Sequence, residues 1–360
     1  MSLVIPGIES LRAYEAGKPV EELARELGVT DAVKLASNEN PLGPSPKAVE
    51  AARIAAAEIN RYPDAAAYRL REKLAQVHGV AMNEILQGNG SNELIELLVR
   101  TFTTPAHHIV FAQPAFVVYK LASMAHGTPF TAVPLSNLTH DLEAMAAAVR
   151  PETRLLFVAN PNNPTGTHVG RAALEKLFRE VPPQVIIVMD EAYIEYADAD
   201  DYPDSLELRG LRERLVVLRT FSKIYGMAAL RVGFAVGPAQ IVDYMNRVRA
   251  PFNVNAIGQA AAMASLDDHE HVERSRRINQ SERARLLEAL GAMPGVKVAP
   301  SQANFVFVDV GRSARDVYDK MLRKGVIVRP LGPLETCLRI TVGRPEENTR
   351  MLEALGEVLR

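Results

Sequence analysis

Short apolar runs recur at residues 109–112, 155–159, 185–189, 215–218 and 232–236, with helical patterns or turn residues between them. Runs this short and this uniformly apolar read as strands buried on both faces, which happens when helices cover both sides of a sheet. Their spacing is that of βαβ units, so the chain is expected to build a large, mainly parallel sheet in an α/β arrangement. After about residue 255 the pattern changes. An Ala-rich helical stretch at 256–266 and a charged helix through 282–290 lead into strands at 296–298 and 304–310. Helix 314–324, strands 326–328 and 338–342 and helix 345–359 complete a smaller α+β unit. Residues 19–27 form one helix, and the segment around them is too short to fold alone, so it is expected to pack on the C-terminal unit. The predicted division is 35–260 for the large domain and 1–34 together with 261–360 for the small one.

A chain of 360 residues, 48% of them hydrophobic, can fill two such cores. Its 41 Lys and Arg against 43 Asp and Glu leave a net charge of −2, which creates no field that would gather nucleic acid or an anionic membrane. The single cysteine, Cys337, excludes an internal disulfide framework and suits a reducing compartment. The N-terminus lacks a basic region followed by a long apolar stretch, and no 18-residue uncharged apolar run exists. A cytoplasmic protein is expected.

The chemistry concentrates in four stretches. "GNGSNELIELL" (88–98) sets a glycine turn before an apolar-striped helix, with Gly90 and Ser91 at its N-terminus. Free N–H groups and the helix dipole there favour a phosphate, although a plain helix cap reads the same way. "VANPNNPTGT" (158–167) follows a strand, and its prolines stiffen a loop that could hold Asn163 towards a ligand. "IIVMDEAYIEY" (186–196) ends a buried run on Asp190, a carboxylate that needs a cationic partner or hydrogen bonds. "RTFSKIYGMAALRVGF" (219–234) places Ser222 and Lys223 just past the C-terminal end of a strand, where open α/β sheets bind ligands, with Arg231 eight residues on. A lysine amine forms a Schiff base with an aldehyde. Pyridoxal 5'-phosphate asks for these parts together: a phosphate cradle, a Schiff-base lysine, an acid beside the pyridinium nitrogen and a hydrogen bond to the ring oxygen.

In the order of these motifs the chain resembles fold-type I pyridoxal-phosphate aminotransferases, and among them the histidinol-phosphate aminotransferase family. The resemblance extends from "GKPVEELARELG" (17–28) and "KLASNENPLGPSP" (34–46) to "CLRITVGRPEEN" (337–348). It implies Lys223 as the Schiff-base lysine, Asp190 as the pyridinium partner, and Asn163 and Tyr193 on the ring oxygen. Ser91, Ser222 and Arg231 would take the phosphate with help from the Gly90 and Ser91 backbone, and Phe116 in "QPAFVVY" would cover the ring face. Tyr62 resembles the tyrosine that crosses a homodimer interface to a neighbour's phosphate. Arg339 resembles the arginine that pairs with the substrate's anionic group, with Arg329 as a second cation and Asn40 and Tyr62 at the imidazole end. The implied reaction is amino transfer between L-histidinol phosphate and 2-oxoglutarate in histidine biosynthesis.

The chain departs from the family pattern in three places, one of them Phe116, which stands where some relatives have tyrosine. Three alanines follow Tyr-Pro-Asp in "YPDAAAYRLREKL", and "PLGPLETCLR" lacks an expected tyrosine or glycine near Leu334. Three alternatives share these motifs: an aromatic amino-acid aminotransferase, a threonine-phosphate decarboxylase-like enzyme, and a non-catalytic cofactor-binding regulatory module. No metal is expected, since the pairs His107/His108 and His269/His271 have no companions at metal-ligand spacing. The acidic stretch 198–204 reads as a solvated loop.

Overall fold

The computed structural model describes residues 3–4, 7–11, 17–332 and 334–360. Part of the N-terminal stretch, and Pro333 within "PLGPLETCLR", therefore lie outside the described residues. After a helix at Val20–Leu27 and the short strand β1 (Val33–Lys34), the chain lays down β2 (Ile85–Asn89), β3 (His108–Gln113) and β4 (Phe130–Pro134). Next come β5 (Thr153–Ala159), β6 (Ile186–Asp190), β7 (Leu215–Thr220) and β8 (Val232–Val236). These last seven form one sheet in the order β2-β8-β7-β6-β5-β3-β4. Pairing is parallel from β7 through to β4, while β8 runs antiparallel to both β7 and β2.

Why the runs read as they do is visible in where alternate residues go. Leu156, Val158, Ile187, Met189 and Val217 enter the core on one face, and Leu155, Phe157, Ile186, Val188 and Val216 enter the core on the other. A strand covered on both sides has no polar face to show. The strands β2 and β4 escaped the sequence reading because they are the two edges of the sheet. "ILQGN" and "FTAVP" carry the polar residues, glycine and proline that edges tolerate.

The second part of the chain adds β9 (Lys297–Val298), β10 (Phe305–Asp309), β11 (Val326–Ile327), β12 (Arg329–Pro330) and β13 (Cys337–Thr341). Four of these make an antiparallel sheet, β12-β13-β10-β9, and β11 pairs in parallel with β1. Leu23 of the first helix packs with Leu286, Val306, Leu338 and Met351 in this second core, so the N-terminal helix does lie against the C-terminal elements. The charged helix is longer than its pattern indicated, His269–Gly291, because its exposed turns are polar all round.

One contact decides how the lysine loop sits. Gly226 has φ +69°, its N–H donates to the Lys223 carbonyl at 2.9 Å, and a Cβ there would lie 2.2 Å from the Gly43 carbonyl oxygen. Backbone meets backbone, so neither side can yield. Gly226→Ala is expected to destabilise the fold by at least about 2 kcal/mol, since left-handed strain adds to the clash. Gly210→Ala, where a Cβ meets nothing within 4 Å, should leave the urea unfolding midpoint unchanged.

Candidate active site

A cavity of about 880 Å³ lies at the C-terminal ends of β5, β6 and β7. Asp190, the last residue of β6, and Asn163, Tyr193, Ser222 and Lys223 from the segments that follow those strands reach its wall, joined by Ser91, Phe116, Arg231 and Arg339. Nine side chains singled out from sequence thus meet in one space.

At one end, strand pairing brings together two residues far apart in sequence. In the antiparallel ladder Asn89 faces Val232, so Gly90, just after β2, meets Arg231, just before β8. A Cβ on Gly90 would fall 2.4 Å from Arg231 Nη2, and one on Gly233 would fall 2.6 Å from the Ser91 nitrogen. Only glycines let the guanidinium lie against the N-terminus of helix Gly90–Phe102. Arg231 is itself held at φ +55° and donates from Nη1 to Ser222 Oγ and the Ala228 carbonyl, each at 3.1 Å. Unpaired N–H groups of the first turn, a positive helix end, a hydroxyl and a guanidinium make a seat for a dianion.

Asp190 marks the other end. Tyr119 Oη donates to its Oδ2 at 2.7 Å and the Ala192 N–H reaches Oδ1 at 3.3 Å. Burial pushes the Asp190 carboxyl above the usual carboxylate range, opposed by those two hydrogen bonds and the nearby Lys223 charge. Burial, and then the Asp190 charge, hold the Tyr119 phenol well above its ordinary value, so Tyr119 stays a donor. The carboxylate is therefore poised to accept one more cationic N–H. Tyr119 was missed in the sequence, though it stands three residues after Phe116 in the same motif and the two rings meet edge-on at 5.8 Å.

Between the two ends, Lys223 Nζ lies 5.4 Å from the Tyr193 ring centroid. The Tyr193 hydroxyl accepts from Asn163 Nδ2 at 3.3 Å and from Asn38 Nδ2 at 2.9 Å. Arg339 donates from Nη1 to Asn163 Oδ1 at 2.7 Å and from Nη2 to the Ala36 carbonyl at 2.9 Å. Asn38, like Tyr119, was quoted within a motif without being singled out.

Three expected residues do not line the cavity. Asn40 is turned away: its Nδ2 donates to the Ile224 carbonyl at 2.7 Å and to Ser275 Oγ at 2.9 Å, and its Oδ1 accepts the Leu42 N–H. With its amide so used, Asn40 clamps the lysine loop instead of facing a substrate. Tyr62 is 81% exposed and stacks on Phe252 at 4.6 Å. Arg329 sits on β12 as the antiparallel register partner of Arg339 but is not among the residues that line the cavity. The acidic stretch is a surface loop, as expected, and its carboxylates are paired: Asp198 with Arg283 at 2.6 Å, Asp201 with His168 at 2.8 Å and Asp204 with Arg219 at 2.6 Å. Among the described residues no cluster of three or more His, Cys, Asp or Glu could hold a metal, and no helix is long and apolar enough to cross a membrane.

Beneath the lysine loop, Arg219 joins fully buried Glu191 at 2.8 Å as well as Asp204. Burial works against the Arg219 charge, but Glu191, Asp204 and Glu195 outweigh it and hold its pKa above the ordinary value.

Comparison with known proteins agrees with this geometry. The family described as aminotransferase class I and II matches residues 30–355. "Histidinol-phosphate aminotransferase 2" of Pseudomonas aeruginosa is 50% identical, covering 100% of this chain and 98% of the relative. "Histidinol-phosphate aminotransferase" of Moorella thermoacetica is 48% identical over 98% of this chain and 92% of its own. Among solved structures, histidinol-phosphate aminotransferase from Sinorhizobium meliloti in complex with pyridoxal-5'-phosphate superposes with a TM-score of 0.90 at 29% identity. It covers 100% of this chain and 98% of that one.

Arg219→Met strands the buried Glu191 carboxylate and should cost about 3–5 kcal/mol, read as a lower urea midpoint. Arg247→Ala, which breaks an exposed pair with Asp243, is the control and should change little.

Proposed function

The chain belongs to the aminotransferase class I and II family, and from that membership we infer that it transfers an amino group between L-histidinol phosphate and 2-oxoglutarate in histidine biosynthesis. The observation that carries the reading is the convergence of Lys223 and Asp190 on the cavity that also holds the Arg231 dianion seat. The residues fit pyridoxal 5'-phosphate: a seat that a single Cβ at Gly90 would fill, and in the same cavity a buried carboxylate whose upward shift is only opposed by Tyr119, the Ala192 N–H and the Lys223 charge. When bound, that cofactor supplies a carbonyl that amines capture and a ring that accepts electrons.

The protein's own groups then have distinct tasks. Ser91, Ser222 and Arg231, with the Gly90 and Ser91 backbone, hold the phosphate. Asp190, oriented by Tyr119, keeps the ring nitrogen protonated, and Asn163 and Tyr193 bond the ring oxygen. Phe116 covers the ring face. Lys223 Nζ carries the proton to and from the substrate's α-carbon, a role for a freely moving primary amine. Arg339 receives the anionic end of either substrate, phosphate or carboxylate, and Arg329, its partner on the neighbouring strand, adds positive potential.

We further propose that the working unit is a homodimer in which Tyr62 reaches the partner's phosphate seat. Tyr62, 81% accessible, stacks on Phe252, 41% accessible, and Ile59 and Ile54 are exposed nearby in sequence, apolar surface of a kind that a second copy would cover. A lone, buried cysteine suits the cytoplasm.

Adding histidinol phosphate to the cofactor-loaded protein without an oxo acid should bleach its visible band, and 2-oxoglutarate should restore it. Bleaching by phenylalanine alone would move the substrate to the aromatic class. Lys223→Ala should lose at least about a thousandfold in turnover. A variant with normal turnover would overturn the assignment.

A further inference from the structure

Tyr193 is 4% exposed, and its hydroxyl oxygen receives two N–H groups, from Asn38 at 2.9 Å and Asn163 at 3.3 Å. Neither amide can be turned round. Arginine only donates, so Arg339 Nη1 at 2.7 Å must face the Asn163 oxygen, which leaves the Asn163 NH₂ for Tyr193. Thr341 does the same for Asn38. Its Oγ1 accepts the Asn38 N–H at 2.9 Å, and its own proton goes to Asn38 Oδ1 at 3.1 Å. Reversing the Asn38 amide would point a second donor at Thr341, which is 3% exposed, and leave that hydroxyl proton unmatched in the interior.

Both orienting side chains come from β13 two residues apart, and so from one face of the strand. Asn38 is also held through its backbone. It adopts φ +55°, a conformation asparagine tolerates better than most side chains, and its carbonyl accepts from Asn304 Nδ2 at 3.0 Å.

A phenol oxygen that already accepts two N–H groups has only its own proton left to offer. Among the described residues no protein acceptor takes that proton, and the open direction is the cavity that Tyr193 lines. We propose that Asn38, held by Thr341, is a positioning residue that fixes Tyr193 as a hydrogen-bond donor to the cofactor's ring oxygen. The inference rests on reading the cavity as a pyridoxal-phosphate site.

Its consequence is electronic as well as geometric. A donor on the ring oxygen withdraws negative charge from it and so lowers the proton affinity of the nitrogen conjugated with that ring. Removing the donor should raise it.

The test uses the holoenzyme and three variants. Thr341→Val keeps the shape of the side chain, removes the hydroxyl and leaves strand geometry intact. Thr341→Ser restores the hydroxyl, and Asn38→Asp replaces the donating NH₂ by an oxygen that competes for the Tyr193 proton. The readouts are the pH midpoint of the bound cofactor's visible band and the affinity of the cofactor-free protein for pyridoxal 5'-phosphate by equilibrium dialysis. Asn38→Asp should move the midpoint to higher pH by about one unit and weaken binding about tenfold, the size of one lost charge-assisted hydrogen bond. Thr341→Val should move both in the same direction by less, and Thr341→Ser should match the wild type. A folded Thr341→Val and Asn38→Asp pair with wild-type midpoints would overturn the proposal, even if their thermal midpoints fall, because that would leave only a structural role. If the wild-type protein develops no visible band with pyridoxal 5'-phosphate, the reading of the site falls first, and this inference with it.

Discussion

A carboxylate at the end of a strand buried on both faces is stable as an anion only where donors or a cation surround it. Asp190 meets that condition halfway. Tyr119 and the Ala192 N–H supply two hydrogen bonds, and burial still pushes the carboxyl upward. Tyr119 cannot resolve the imbalance by giving up its proton, because burial and the Asp190 charge both oppose its ionisation. Even with the Lys223 charge nearby burial prevails, so the carboxylate gains from one more positive N–H. Much of the surrounding construction holds this arrangement: Phe116 packs against Tyr119, Tyr119 stacks on Phe157 at 4.8 Å, and the hydroxyl is aimed by rings that cannot move without opening the core.

The opposite end of the cavity meets a complementary constraint. Arg231 brings a positive charge to a helix N-terminus, where it would be repelled unless an anion sits between them. The approach exists because β2 and β8 pair antiparallel and because Gly90 and Gly233 have no side chains. Negative excess at one end and positive excess at the other polarise the cavity along its length. A dipolar ligand with a cationic ring nitrogen and a phosphate satisfies both ends at once.

The class of fold was legible because strands covered on both faces lose their polar alternation and appear as bare apolar runs. The same physics hid β2 and β4, whose edge positions admit Gln87, Gly88 and Pro134. Residues that follow strands in short, proline- or glycine-marked loops were legible as candidates that would meet in one cavity, since the loop has little else to do. Tyr119 and Asn38 were not, because each acts through a neighbour's atom and looks in sequence like any buried aromatic or turn asparagine. Asn40 was misplaced for a related reason. Two positions along the chain separate Asn38, which lines the cavity, from Asn40, which faces the lysine loop, and the left-handed conformation at Asn38 is not marked by local pattern. The acidic stretch is the surface loop expected, but its ion pairs were not legible, because sequence shows the carboxylates and not Arg283, which reaches Asp198 from a helix 85 residues away.

That long reach is typical of how the two cores are joined. Arg283 holds Asp198, Asn304 holds the Asn38 carbonyl, and Arg339 holds Asn163. Of these, the Arg339 contact has the most exacting geometry. Its two terminal nitrogens serve two acceptors in different segments, Asn163 Oδ1 and the Ala36 carbonyl, from one rigid plane. A lysine could satisfy either but would not fix their relative position, because its donors rotate about a single point. An anion that paired with Arg339 would meet a guanidinium already oriented by the protein, and would lose less entropy in doing so than with a free side chain. The cost of that orientation falls on folding, where burial of the second core supplies it, and not on binding.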